Sequence, residues 1–135
     1  MIFIPSVEQV IETNEFICLE SGNLHQVLDK GKIESALHTA FYPGSYPFEA
    51  GGIAKIAGAL CFYLVQTHAF LDGNKRVGSL TAIIFMNENG WDLKYPKKGK
   101  NGLTGLANII LECASGKINK EEMMDWFENH KIKLS

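Results

Sequence analysis

The nine residues His68-Ala69-Phe70-Leu71-Asp72-Gly73-Asn74-Lys75-Arg76 place a base, a carboxylate, a glycine, an amide and two cations between two apolar segments. Asp72-Gly73-Asn74 is a turn sequence directly ahead of a helical stripe, so the amides of Gly73 to Arg76 are expected to converge at a helix N-terminus. Such an end attracts anions, because unpaired N–H groups and the helix dipole both favour negative charge there. Gly73 allows the backbone to approach a phosphate closely, and Asn74 is placed to cap the helix. Lys75 and Arg76 add positive charge where the dipole is already positive, a conflict that an anionic ligand resolves. Asp72 suits a magnesium ion held by one carboxylate together with phosphate oxygens and waters. His68 would accept the proton of an attacking hydroxyl, a contribution of about 10²- to 10⁴-fold in rate. The set reads as phosphoryl or nucleotidyl transfer.

Two other motif readings fail. Gly73 and Gly78 have the spacing of a P-loop, but Ser79-Leu80 stands where Lys-Ser/Thr is required and the preceding segment is helical. His68 and Asp72 are four residues apart, yet no H-E-x-x-H pattern or third ligand accompanies them, which argues against a zinc hydrolase. His25, His38 and His130 have no comparable setting and read as surface or structural.

The elements that would position the nine residues follow from apolar periodicity. Ser6 and Gln9 form a capping-box pattern, after which Val7, Val10, Ile11, Asn14, Ile17 and Cys18 recur at helical spacing up to Ser21-Gly22. An Asp29-Lys30-Gly31 turn leads to a short helix around Ile33 to Thr39, followed by the aromatic, Pro- and Gly-rich AFYPGSYPFEAGG, a loop or small hairpin. A wide apolar stripe from about Glu49 to Thr67 marks a central buried helix with His68 at its end. A fourth helix carries Val77, Leu80, Thr81, Ile84 and Phe85 and stops at Asn89-Gly90. A fifth runs from about Leu103 to Ala114. The last begins near Asn119, with Glu122 in the reciprocal capping position, Ile118 and Met123 as a hydrophobic staple, and Trp126-Phe127 facing the core. The pattern predicts an all-α domain of about six helices with one irregular loop.

The 135 residues are 46% hydrophobic and 21% charged, which suits one soluble globular domain over residues 1–135. No apolar run is long enough to span a bilayer, and the start lacks a secretory pattern, so a cytoplasmic protein that does not enter membranes is expected. Cys18, Cys61 and Cys113 lie too far apart for a disulfide framework or a C-x-x-C zinc site and read as reduced core thiols. A net charge of −2 gives no general attraction to nucleic acid. The short basic stretch of Tyr95, Lys97, Lys98 and Lys100 reads as a solvated loop.

The stretch HAFLDGNKR resembles the signature of the Fic/Doc family, H-x-F-x-[D/E]-[G/A]-N-x-R, at every fixed position. Beyond it, IESAL at 33–37, the aromatic loop, the helix before His68, NENG at 87–90 and SGKI near 115 resemble the short Doc, or death-on-curing, branch. The resemblance implies a compact helical bundle with a small irregular or hairpin flap. It implies that His68 activates a target-protein hydroxyl and that Asp72 holds Mg2+. Gly73, Asn74 and Lys75 would form the anion hole, Arg76 would hold ATP phosphates, and Phe70 would anchor the loop in the core. The flap that aligns the target peptide would lie within Phe41 to Phe48, on Tyr46, Pro47 and Phe48. AMP-transferring members read G-N-G-R-x-x-R, whereas this chain has Lys75 and Ser79 at the second glycine and last arginine. Both departures look like Doc, in which ATP binds inverted and the γ-phosphate is transferred. The implied activity is a transferase, a toxin kinase acting on a Ser/Thr hydroxyl of a translation factor such as elongation factor Tu. AMP transfer by the same residues and a non-catalytic interaction domain are the alternatives. The family's self-inhibitory [S/T]-x-x-x-E-[G/N] helix is not evident, so restraint would come from a separate antitoxin protein.

Overall fold

A computed structural model describes residues 2–42 and 52–135, and the architecture it shows is all-α. Six α-helices are described: α1 (Val7–Ser21), α2 (Lys30–Phe41), α3 (Ile53–Thr67), α4 (Asn74–Glu88), α5 (Gly105–Ala114) and α6 (Lys120–His130). No described helix is long and apolar enough to cross a membrane.

Helix ends follow local chemistry. Ser6 and Gln9 form the expected capping box on α1, and Gly22 closes that helix in the left-handed conformation at φ 71°. Asn119 and Glu122 do the same for the start of α6. Asp29 accepts from the Lys32 amide as the N-cap of α2, so Lys30 and Gly31 lie inside a longer helix and not in a turn ahead of it. Thr104 caps α5, which therefore starts two residues later than its apolar pattern does. The expected start of α3 at Glu49 lies outside the described residues. Among those described, α3 begins at Ile53 behind Gly52.

The helix α3 is central, touching α2, α4, α5 and α6. Its Ala54, Ile56, Ala57, Leu60, Cys61, Leu64 and Val65 are all buried. Small residues set how closely the neighbours approach. A Cβ on Gly58 would stand 2.7 Å from the Met124 Cα and 2.8 Å from the Met123 carbonyl oxygen. A Cβ on Gly78 would stand 2.7 Å from the Val65 Cγ2 and 3.2 Å from the Cys61 carbonyl oxygen, so α4 also lies close against α3. Phe41 belongs to this core and not to a flap. It is the last residue of α2, fully buried, with its ring edge-on to Phe85 at 5.0 Å between centroids. Tyr46, Pro47 and Phe48 lie outside the described residues.

Two short strands were not expected. β1 (Trp91–Leu93) pairs antiparallel with β2 (Lys131–Lys133), Asp92 opposite Ile132. The pair ties the chain after α4 to the chain after α6. All three cysteines are free and buried, as expected of core thiols.

Candidate active site

The turn between α3 and α4 begins with an unusual backbone. His68 ends α3 at φ 51° and ψ 47°, a left-handed conformation in which a side chain crowds its own carbonyl. The bend sends Ala69, Phe70 and Leu71 along the segment that links α1 to α2. Phe70 forms an antiparallel bridge with Val27. The amides of Leu28 and Asp29 donate to the Ala69 carbonyl at 2.8 and 3.2 Å, and the Leu71 amide donates to the Gln26 carbonyl at 3.0 Å. Ala69 and Phe70 are buried, whereas His68 before them and Leu71 and Asp72 after them are exposed.

Asn74 does not cap α4. The N-cap is Gly73 at φ 79°, without a side-chain hydrogen bond. The Asn74 side chain instead turns back one turn, its Nδ2 donating to the Phe70 carbonyl at 2.8 Å and its Oδ1 accepting from the Phe70 amide at 3.1 Å. The reason is that Phe70 is buried, and its backbone groups would be costly to leave unpaired. The carboxamide matches them with one donor and one acceptor. Asp72 Oδ1 accepts from the Gly73 amide at 2.7 Å.

The result is an anion-binding helix end. Among the described residues the amides of Asn74, Lys75 and Arg76 find no acceptor, while the Val77 amide donates to the Gly73 carbonyl. The first turn of α4 holds no acidic residue, unlike those of α1 and α6. Exposed Lys75 and Arg76 raise its positive potential further. The Arg76 Nη1 donates to the Ser21 hydroxyl at the end of α1.

Reasoning on the motif alone does not find the support beneath it. Asn14 of α1 is fully buried, and its Nδ2 donates to the Asp72 carbonyl at 2.8 Å. Its Oδ1 faces the His25 Nδ1 at 2.8 Å; an amide oxygen only accepts, so Nδ1 carries the hydrogen. Cys18 adds weak S–H contacts to the Asn14 Oδ1 and the Asp72 carbonyl, at 3.6 and 3.9 Å. Burial and the Asp72 carboxylate push the Cys18 thiol up, against an opposing pull from Arg76, and so keep it a neutral donor. Gly73 fits closely on this network: a Cβ there would lie 2.9 Å from the Asn14 Nδ2. The available signal was a polar residue, Asn14, on the apolar stripe of α1.

One turn therefore brings together His68, Asp72, Gly73, Asn74, Lys75 and Arg76, with Phe70 buried beneath them. No group of three or more His, Cys, Asp or Glu that could hold a metal occurs among the described residues. A cation here would take Asp72 as its protein carboxylate and find its remaining ligands elsewhere.

The Fic/DOC family model matches residues 5–86, from the cap of α1 to the last turn of α4, with the whole turn inside it. The chain belongs to the Fic/Doc family. It is a Fic-domain protein, and members of this family generally catalyse transfer of nucleotide-derived groups to proteins. No curated protein matches the sequence. The match includes α1, so the Fic-domain match covers the helix that carries Asn14 as well as the signature turn.

Proposed function

We propose that this Fic-domain protein is a Doc-like kinase that transfers the γ-phosphate of ATP to a Ser or Thr hydroxyl of a target protein. The observation that carries the reading is the first turn of α4, where the amides of Asn74, Lys75 and Arg76 find no acceptor among the described residues and the side chains of Lys75 and Arg76 add positive charge. A glycine at 75 would leave that end open to an inner phosphate of the nucleotide. The lysine side chain crowds it and adds a charge suited to a terminal phosphate.

In this reading His68, at the rigid end of α3, takes the proton of the target hydroxyl. The hydroxyl oxygen forms a bond to the γ-phosphorus while the bond from that phosphorus to the β,γ-bridging oxygen breaks, and ADP departs with the electron pair. The amides of α4, Lys75 and Arg76 meet the charge that spreads over the phosphate oxygens. Asp72 fits Mg2+ because Gly73 engages one of its two oxygens and the exposed side chain leaves the other accessible. When bound, the ion neutralises phosphate charge. The target is a translation factor, elongation factor Tu being the one the Doc resemblance suggests, and the reaction belongs to the cytoplasm.

In this reading a separate antitoxin protein restrains the enzyme, as the resemblance to Doc suggests. An apolar groove of about 450 Å³ between α1 and α4 offers such a protein a surface, with Phe16 and Ile84 exposed along it. Thr81 lines the same groove, and its buried hydroxyl has no partner among the described residues.

Incubation with γ-labelled and, separately, α-labelled ATP and a cell extract tests the reading. Protein labelled from the γ-position supports it, and protein labelled from the α-position replaces it with AMP transfer.

A further inference from the structure

The net charge of −2 is unevenly spread over the fold. Residues 91–100 and 130–135 hold six of the chain's 13 cations, Lys94, Lys97, Lys98, Lys100, Lys131 and Lys133, but only one of its 15 acids, Asp92. These two segments therefore carry a net +5, and the rest of the chain −7. Folding brings them together. Trp91 of β1 pairs with Lys133 of β2 and Leu93 with Lys131, and the Lys94 amide donates to the His130 carbonyl at 2.8 Å. In sequence the segments are far apart, so only the shorter basic stretch stands out there. The loop that carries Lys97, Lys98 and Lys100 is pinned to the start of α5. The Gly105 amide donates to the Pro96 carbonyl at 2.8 Å, the Gly99 amide to the Leu103 carbonyl at 2.7 Å, and the Asn108 Nδ2 to the Lys100 carbonyl at 3.1 Å.

These cations are poorly neutralised. Lys131 pairs with Glu128, but among the described residues Lys94, Lys97, Lys98, Lys100 and Lys133 have no carboxylate within 4.0 Å, whereas Lys30 and Lys55 do. Asp92 is turned to the backbone, its Oδ1 accepting from the Leu93 amide at 2.8 Å. Like charges gathered this way repel one another, and a polyanion removes the repulsion. Aromatic rings stand among them. The Lys97 Nζ lies 4.3 Å from the centre of the Tyr95 ring, and the Lys131 Nζ 4.8 Å from that of Trp91. Tyr95 is half-buried, 6.1 Å from Trp126, which stacks on His130 at 4.0 Å. Positive charge alone would draw any polyanion, an acidic protein included. Rings interleaved with it suit unpaired bases, whose faces a duplex keeps stacked and an acidic protein lacks.

We propose that the 94–100 loop and the β1–β2 ribbon form a binding surface for single-stranded nucleic acid, with phosphates on the lysines and a base on the Tyr95 ring. The Lys97 ammonium leaves the ring for a phosphate, and the base takes its place on the ring face. The surface uses neither Lys75 nor Arg76. It is therefore independent of the reaction assigned to the turn before α4.

Fluorescence polarisation with labelled oligouridylate and oligothymidylate of about a dozen nucleotides tests this, within the site sizes single-strand binders cover. Binding to either strand supports the proposal, and the tighter of the two tells whether RNA or DNA is the natural source. Affinity should fall with salt, at a slope of about −2 to −4 in log K against log salt. Combined Lys97→Ala, Lys98→Ala and Lys100→Ala should flatten that slope by about 2, with an unchanged thermal melt because all three side chains are exposed. Tyr95→Leu should weaken binding about five- to 150-fold, whereas Tyr95→Phe, which keeps the ring, should bind nearly as the unmodified protein does. Arg76→Ala should leave binding unchanged. Four results would overturn the proposal: no binding of either strand at about 50 mM salt, equal binding of a duplex, displacement by polyglutamate as effective as by the unlabelled strand, or equal affinities for Tyr95→Leu and Tyr95→Phe. Loss of binding in Arg76→Ala with none in the lysine variant would also overturn it, by placing the strand at the α4 end.

Discussion

Asn14→Ala is the substitution that most sharply probes how the turn is held. Asn14 lies on α1, far from the motif in sequence, yet it is fully buried and binds the Asp72 carbonyl and the His25 ring at 2.8 Å each. Alanine removes the partner of the His25 ring and leaves the Asp72 carbonyl only the weak Cys18 contact at 3.9 Å. A buried polar group left unpaired costs about 1–3 kcal/mol. His25 is half-buried and recovers part of its share from water. The expected loss is therefore about 2–4 kcal/mol, which for a chain of this size lowers Tm by roughly 5–15 °C. The loop effect is separate: misplacing reacting groups by about 1 Å can reduce a rate about 10²-fold. Chemical denaturation measures the first quantity, and γ-phosphate transfer, measured well below the shifted Tm, measures the second. A double-mutant cycle with His25→Ala should show coupling of about 1–2 kcal/mol, because one hydrogen bond is counted in both single variants. Unchanged stability together with unchanged transfer in Asn14→Ala would refute the view that α1 holds the motif.

Three further outcomes follow. His68→Ala and His68→Gly should both abolish transfer, but the glycine variant should be the more stable by about 0.5–1 kcal/mol, since only glycine relieves the positive φ; equal melting curves would deny that strain. Gly58→Ala should destabilise by about 1–2 kcal/mol, because overpacking against the backbone of α6 costs more than the helix propensity gained, and an unchanged or raised Tm would contradict the tight crossing. Burial pushes Cys61 well above the ordinary thiol value of 9.0, with a smaller contribution from Cys113. The unfolded state therefore releases that proton at lower pH than the native state does. Stability from this group is complete below pH 9 and declines as pH rises beyond it, a slope that Cys61→Ala should flatten in thermal melts.

Much of the architecture was legible because local chemistry and the fold agree. The capping boxes at Ser6 and Asn119, and the left-handed Gly22, mark real helix ends in both sequence and structure. The elements that escaped are those whose partners are remote. Three-residue β1 and β2 carry too little periodicity to stand out, and each is a strand only because the other lies beside it. The same holds within the site. His68, Asp72 and Gly73 to Arg76 fall in one turn and could be read together. Asn74 was assigned to a cap because the type is common there, but a buried Phe70 backbone claimed its side chain. The bridge from Val27 to Phe70 and the Asn14 anchor join segments that no spacing rule connects.

The decisive measurement is label transfer from γ-labelled and α-labelled ATP to purified elongation factor Tu, with the unmodified protein and with His68→Ala in parallel. Phosphate transfer at this turn predicts label on the target from the γ-position only, and none with His68→Ala. Label arriving from the α-position, or γ-label that persists without His68, would contradict it.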